Sequence, residues 1–232
     1  MEKRNSLVKG LLLFVGTVML SACGASYQAR SMDVQPSTLV DQTVLQKGGD
    51  DQALYRYVNP DVKISDYTKI IIDPVLIVKD AELDAKEREN YQKLANNALV
   101  YLNQELGQDY QIVTSPEAAT MRIQFAIIDA DTSKPARNVL SSVSPIGIGM
   151  NLVKYGATGK QSGVGEISAE IKVTDAMSGM LIGAAIDKRV GGKSPKGIVD
   201  TWYNADQALL YWAKQVRYVM CNHRGGSNCV KP

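Results

Sequence analysis

The segment from Gly165 to Thr174 alternates between apolar and polar residues. The apolar positions are Ile167, Ala169, Ile171 and Val173, and the polar ones are Glu166, Ser168, Glu170, Lys172 and Thr174. Because successive side chains of a strand point to opposite faces, this period of two predicts a half-buried antiparallel strand with one wet face. Ser178-Gly179 then turns the chain into a second apolar stretch, residues 180–186, which predicts a hairpin.

Three other stretches predict further strands of the sheet. Residues 69–78 form a nearly continuous β-branched run, typical of a strand that is buried on both faces. Pro74 cannot donate a hydrogen bond to a neighbouring strand, so an interruption or an edge is expected there. Shorter strands are expected at residues 110–113 and 120–128.

Two amphipathic helices complete the predicted fold. The first opens at Asp84, where Glu87 completes a capping-box pattern, and ends at Gly107. Its apolar stripe consists of Tyr91, Leu94, Ala95, Ala98, Leu99, Leu102 and Leu106. The second has an apolar face between Ile198 and Val219. The sequence therefore predicts a single α/β domain, with α+β as the alternative, in which a mixed, mostly antiparallel sheet carries both helices on one face.

The first 22 residues have the pattern of a signal peptide. Positive charges precede an apolar run, residues 11–20, that as a helix would be about 15 Å long, half of a ~30 Å hydrocarbon core. This run is therefore expected to be a signal-peptide segment rather than a membrane span. Leu20-Ser21-Ala22-Cys23 resembles the lipobox of bacterial lipoproteins, in which the cysteine receives a diacylglycerol. An ordinary secretory signal is the alternative.

The expected location follows from the lipobox resemblance. Cleavage before Cys23 would expose an amino group that is usually acylated in turn, for example with palmitate, and two or more chains give stable anchoring. Among Gram-negative lipoproteins, an Asp directly after the lipidated cysteine resembles an inner-membrane retention signal. This chain has Gly24 at that position. The periplasmic side of the cell outer membrane is therefore expected. In a Gram-positive host, the lipid would lie in the outer leaflet of the only membrane.

The charge of the chain gives no sign of a nucleic-acid partner. The whole chain carries a net charge of +2 at pH 7. Loss of residues 1–22 removes three positive charges and one negative charge, so the mature chain is neutral. Neither a basic patch nor an acidic tail is present, and no cofactor is predicted.

Composition divides the chain into four expected parts. The segment after the signal peptide is poor in large apolar residues and predicts a flexible tether with a reach of roughly 30 Å. The parts are a signal peptide (1–22), a lipidated cysteine and tether (23–53), a globular domain (54–220) and a cysteine-bounded tail (221–232). Leu39-Val40 and Val44-Leu45 are the tether residues that could dock on the domain.

Two cysteines remain after Cys23, and both lie near the C-terminus. Because an exported protein meets oxidising conditions, a disulfide between Cys221 and Cys229 is expected. A metal site that also uses His223 is the alternative, but the tail lacks a fourth ligand. No metal site is therefore predicted.

The connection at residues 131–163 is the candidate partner-binding surface. Loops of this length in a compact domain are usually functional or mobile, and an ordinary crossover loop is the alternative. The candidate residues are Pro145, Gly147, Gly149, Tyr155 and Lys160.

No pattern in the sequence is typical of catalysis. The only histidine, His223, lies in the tail, away from any nucleophile on the predicted sheet. Residues 156–161 depart from a phosphate-binding loop, because Lys154 and Gln161 replace its required Gly and Ser or Thr. Glu166 and Glu170 share the predicted wet face, with α-carbons about 13 Å apart, longer than the separation of glycosidase carboxylates. No catalytic residue is predicted, and a hydrolase that uses these two carboxylates is the less favoured alternative.

Several longer stretches carry a family resemblance. They are LYRYVNP (54–60), YTKIIIDPV (67–75), ARNVLSSVSP (136–145), GVGEISAEI (163–171) and TDAMSGMLIGAAIDKR (174–189). Together they resemble the bacterial lipoprotein family with the domain of unknown function DUF3313. The resemblance covers roughly residues 50–220 and implies no established catalytic residue.

Two functions from different classes are consistent with these features. The first is a non-enzymatic, lipid-anchored domain that docks on an envelope protein partner. The second is a lipoprotein that binds a small ligand such as a lipid or glycan. A deep apolar pocket between the sheet and the helices would favour the second, and a filled core would disfavour it.

Overall fold

The computed structural model describes residues 26–28, 39–78, 83–128, 139–140, 166–191 and 201–232. The strands are β1 Ser26–Gln28, β2 Gln46–Lys47, β3 Tyr55–Val58, β4 Lys69–Ile72, β5 Leu76–Val78, β6 Gln111–Ile112, β7 Thr120–Ile128, β8 Val139–Leu140, β9 Glu166–Asp175 and β10 Leu181–Gly191. The long helices are α1, Ala85–Leu106, and α2, Thr201–His223, and two 3-10 helices cover Gln42–Val44 and Ile64–Asp66.

All of these strands belong to one sheet, in the order β2-β3-β10-β9-β7-β4-β6. β1 also pairs with β10, and β5 pairs with β7 and β8. Three pairs are parallel: β4 with β6, β4 with β7, and β5 with β7. The other pairs between described strands are antiparallel. The predicted mixed, mostly antiparallel sheet of a single α/β domain is confirmed.

The predicted hairpin of β9 and β10 has a turn that is fixed by one carboxylate. Asp175 Oδ1 accepts hydrogen bonds from the backbone N–H groups of Met177 (3.0 Å) and Ser178 (2.7 Å). Gly179 has a φ of 74°, a left-handed conformation that glycine adopts without steric cost. These local interactions explain why the turn could be predicted from the sequence.

The strand predicted over residues 69–78 is interrupted at Pro74, as expected from the missing N–H of proline. β4 and β5 lie on either side, and both pair in parallel with β7. The backbone N–H of Asp73, just before the proline, still donates to the carbonyl of Ile123 (2.9 Å).

Both helices pack on one face of the sheet and share a single core cluster with it. α1 begins at a capping box, in which Glu87 N donates to Asp84 Oδ1 (2.8 Å) and Asp84 N donates to Glu87 Oε2 (3.1 Å). The predicted stripe of α1 is buried, with Leu99 partly so. Tyr91 meets Trp202 of α2 edge to face, with ring centroids 5.1 Å apart.

The predicted wet face of β9 is wrong. Ser168 and Glu170 are only 0% and 1% exposed. β9 is an inner strand of the sheet, and its register places Glu170 between Ala126 of β7 and Ile186 of β10, both of which are also buried. Burial of the second face depends on packing between distant segments, which the alternation along one strand does not show.

The predicted tether at residues 23–53 is wrong for its described parts. β1 pairs with β10, from Ser26 opposite Gly191, and β2 pairs with β3. Val40 is buried, and Leu39 packs against a small cluster on the sheet face away from the helices. Both segments add short strands to the sheet by pairing with β10 and β3. The folded domain therefore includes residues well before 54.

The predicted tail begins too early as well. α2 continues to His223, so Cys221 lies in the last turn of a helix. Neither of the described helices is long and apolar enough to span a membrane.

Candidate functional site

A cavity of ≈ 460 Å³ lies between the sheet and α2. The sheet register places Gly183 and Ala185 of β10 beside Val173 and Ile171 of β9, on the face that α2 covers. Glycine and alanine carry little or no side-chain volume, so space remains between this part of β10 and the helix. The apolar residues that line the cavity include Val58, Ile64, Phe125, Ile171, Val173, Ile182, Val216, Val219 and Met220.

A buried carboxylate forms part of the cavity wall. Asp187 of β10, 6% exposed, accepts hydrogen bonds from Trp212 Nε1 (2.8 Å), Gln28 Nε2 (2.7 Å) and Leu54 N (3.2 Å). These donors come from α2, β1 and the segment before β3. Three hydrogen-bond donors stabilise this buried carboxylate. Because they belong to three segments, Asp187 connects those segments at the cavity wall.

An arginine and a tyrosine stack next to this wall. The guanidinium of Arg189 lies 3.6 Å from the ring centroid of Tyr211, which lines the cavity. Arg189 also donates through Nε to Ser26 Oγ (3.0 Å), and burial lowers the pKa of its guanidinium. The stack fixes the position of Tyr211 at the cavity.

Gln215 of α2 brings an unused acceptor to the cavity. Its Nε2 donates to the backbone carbonyl of Asp51 (3.1 Å). Its Oε1 is buried and has no hydrogen-bond partner in the described part of the chain. A buried acceptor without a donor is unfavourable by about 1–3 kcal/mol, so a ligand that supplies a donor would relieve this cost.

Arg56 and His223 also line the cavity. The backbone of Arg56 is paired in the sheet, but its guanidinium forms no hydrogen bond and no ion pair with a described residue. Burial, and secondly the positive charge of Arg56, lower the pKa of the His223 imidazole. The two groups are therefore close enough to interact electrostatically.

The tail is fixed to the end of α2. Cys221 and Cys229 form a disulfide, with α-carbons 5.5 Å apart. A Cβ on Gly226 would come within 2.7 Å of Cys221 Sγ, so the chain passes close to the disulfide there. Both sulfurs are bonded to each other, and the alternative metal-ligand set with His223 is not formed. The described residues contain no cluster of metal-ligating side chains.

Most of the other predicted site residues lie outside the described part of the chain. Cys23 and the partner-binding candidates Pro145, Gly147, Gly149, Tyr155 and Lys160 lie outside the described residues. Glu166 belongs to β9. Glu170 is buried and is among the residues around the cavity, but its side chain lies on the opposite side of β9 from Ile171. The envelope protein partner stays a prediction.

One sign of the cavity is present in the sequence. Gly183 and Ala185 recur with a period of two in a strand, where large residues usually fill the face that meets a helix. Arg56 and Gln215 carry no distinguishing pattern and could not be selected from the sequence.

The comparison with protein families assigns the chain. The model of the family described as "Protein of unknown function (DUF3313)" matches residues 35–216. The chain belongs to the DUF3313 family. The matched range begins before residue 54, in agreement with a fold that includes residues 39–53.

Other comparisons give weaker likenesses. No curated protein matches the chain. A PelC dodecamer structure from Paraburkholderia phytofirmans is similar at 10% identity and a TM-score of 0.33, covering 70% of this chain and 94% of that one. A DUF4136 family protein from Bacteroides thetaiotaomicron is similar at 12% identity and a TM-score of 0.33, covering 68% of this chain and 92% of that one.

Proposed function

We propose that this DUF3313 protein is a lipid-anchored protein of the cell envelope that binds a small, elongated, apolar ligand between its sheet and α2. The proposal assigns no catalytic step to the site. It rests on the half-open cavity beside Gly183 and Ala185, because close packing of a helix on a sheet normally leaves no space of this size between them.

The size and chemistry of the cavity support a ligand site. Its volume of ≈ 460 Å³ falls within the range of about 300–1,000 Å³ that is typical of small-molecule pockets. Apolar side chains dominate its lining, and a few polar groups such as Gln215 stand among them. This combination of apolar walls and isolated polar groups is what ligand pockets generally have.

The N-terminal sequence supports the envelope location. The charged start, the short apolar run and Leu20-Ser21-Ala22-Cys23 together favour export and lipid attachment at Cys23. The Cys221–Cys229 disulfide fits an oxidising compartment outside the cytoplasm. Gly24 favours the outer membrane, facing the periplasm.

The ligand site is tested with the neutral apolar dye N-phenylnaphthylamine. An exported Cys23→Ser chain keeps every described residue and needs no detergent, so its cavity stays free for the dye. We expect dye fluorescence to rise on binding, and Ala185→Leu to weaken binding by roughly tenfold or more, since the added side chain occupies the cavity.

A second leucine substitution serves as the matched control. Lys214→Leu places the same side chain on the exposed side of α2 and is expected to leave dye affinity unchanged. Thermal unfolding of Ala185→Leu should show no loss of stability, because the leucine enters unfilled space. Equal dye binding by the unsubstituted chain and by Ala185→Leu would refute a ligand site in this cavity.

A further inference from the structure

The cavity is lined by an arginine whose charge has no partner among the described residues. Arg56 of β3 lies opposite Ala185 of β10 in the sheet, so its side chain is on the face that α2 covers. It lines the cavity and is partly buried. Within the described ranges, no carboxylate is within ion-pair distance of it. Partial burial removes some of the hydration of this guanidinium, and an anionic ligand group could replace it.

A titratable group, the imidazole of His223, lies close to Arg56. His223, in the last turn of α2, lines the same cavity, and Arg56 acts on its titration. When His223 is protonated, its positive charge and that of Arg56 repel each other. An anion between them would remove that repulsion and supply an acceptor to both.

The carboxylates that line the cavity have other partners. Asp51 is paired with Lys231 (2.7 Å), and Asp187 accepts from three donors. Glu170 belongs to the opposite side of β9 from the helix-covered residue Ile171. The positive charge of Arg56 is therefore not neutralised by the acids nearest to the cavity.

The apolar space next to Arg56 and His223 has room for one chain. A water molecule takes about 30 Å³ of liquid volume and a methylene group is of similar size, so the cavity could hold roughly 15 chain carbons. The site thus combines a single-chain apolar space with an uncompensated positive charge.

Building on the proposed function, we infer that the ligand is a single-chain amphiphile with an anionic head group, a carboxylate or a phosphate. The chain occupies the space above Gly183 and Ala185. The head group accepts hydrogen bonds from Arg56 and from the protonated form of His223. A fatty acid and a lysophospholipid or alkyl phosphate share this chemistry and differ in the head group.

The test compares three probes that have the same chain: myristate, myristyl phosphate and the neutral myristyl alcohol. Each probe is added below its own critical micelle concentration, and its displacement of N-phenylnaphthylamine from the exported Cys23→Ser chain is measured. We expect the two anionic probes to bind roughly tenfold or more tightly than the alcohol, as a charge-assisted hydrogen bond would give. The stronger of the two anions identifies the head group.

The substitution Arg56→Gln should remove this preference. Affinity for both anionic probes is expected to fall to that for the alcohol, while affinity for the alcohol stays unchanged. Arg122→Gln is the matched control, because Arg122 pairs with Asp73 (3.0 Å) and does not line the cavity. His223→Gln should weaken anion binding less than Arg56→Gln does.

The outcomes separate the two proposals. If all three probes bind equally and Arg56→Gln changes nothing, the anionic head group is refuted and the apolar ligand site stands. If no probe displaces the dye and Ala185→Leu has no effect, the ligand site itself is refuted. A preference for the anions that persists in Arg56→Gln would refute the role of this arginine in recognising the head group.

Discussion

At the scale of single residues, Asp187 stabilises one wall of the cavity. Its carboxylate accepts from Trp212 Nε1, Gln28 Nε2 and Leu54 N. Asp187→Ala would leave the indole N–H buried without an acceptor. We expect the free energy of unfolding to fall by about 2–3 kcal/mol, the usual effect of losing a buried charged acceptor, measured by urea denaturation.

The matched control for this prediction is Asp50→Ala. Asp50 is exposed, and its substitution is expected to change the free energy of unfolding by less than about 0.5 kcal/mol. Equal effects of the two substitutions would show that the hydrogen bonds of Asp187 add little to stability.

His223 gives a second prediction at this scale. Burial and Arg56 lower the pKa of His223 from 6.5 in the folded protein. Just below pH 6.5 the unfolded chain therefore binds a proton more readily than the folded chain does. Stability should be complete above pH 6.5 and should decrease as the pH falls through the folded-state pKa. Urea denaturation near neutral pH and about one unit below 6.5 measures this loss.

The substitution His223→Gln should reduce the loss of stability in that pH interval, because His223 is the only histidine in the chain. Arg56→Gln should reduce it as well, by removing one of the two causes of the lowered pKa. An identical pH dependence in the unsubstituted chain and in His223→Gln would contradict this assignment.

At the scale of elements, the disulfide connects the end of α2 to the tail. Cys221 lies in the helix, Cys229 follows eight residues later, and Lys231 then pairs with Asp51. Replacement of both cysteines by serine should lower the free energy of unfolding by roughly 2–3 kcal/mol in the chain-entropy model. Thermal unfolding with and without dithiothreitol measures it: the reductant should destabilise the unsubstituted chain and leave the double variant unchanged.

Elements with local signals could be predicted from the sequence. The capping box at Asp84 and Glu87 and the turn at Ser178-Gly179 depend on contacts within a few residues, so their patterns are visible in the chain. β1 and β2 have only three and two residues, too few to show a period of two. The wet position predicted for Glu170 is wrong because the strands that flank it are set by pairing between distant segments. The cavity depends on missing volume between β10 and α2, which no local pattern encodes.

At the scale of the whole molecule, the inclusion of β1 in the sheet shortens the expected distance between the domain and the membrane. Ser26 follows Cys23 by three residues, which span at most about 11 Å. Gln28, at the end of the same strand, lines the cavity. If Cys23 carries the proposed lipid, one end of the cavity stands close to the bilayer surface, rather than at the end of a tether of roughly 30 Å. A ligand could then pass between the membrane and the cavity over a short distance.

Lengthening the connection between Cys23 and Ser26 tests this arrangement. A flexible Gly-Ser insertion of about 20 residues after Ala25 would add a reach of roughly 25 Å. We expect slower transfer of a dansyl-labelled fatty acid from vesicles to the lipid-anchored protein in the same vesicles, with equilibrium affinity unchanged. The same insertion after Pro232 is the control and should leave the transfer rate as it was. Equal rates for both insertions would mean that proximity of the cavity to the bilayer does not govern how the ligand enters.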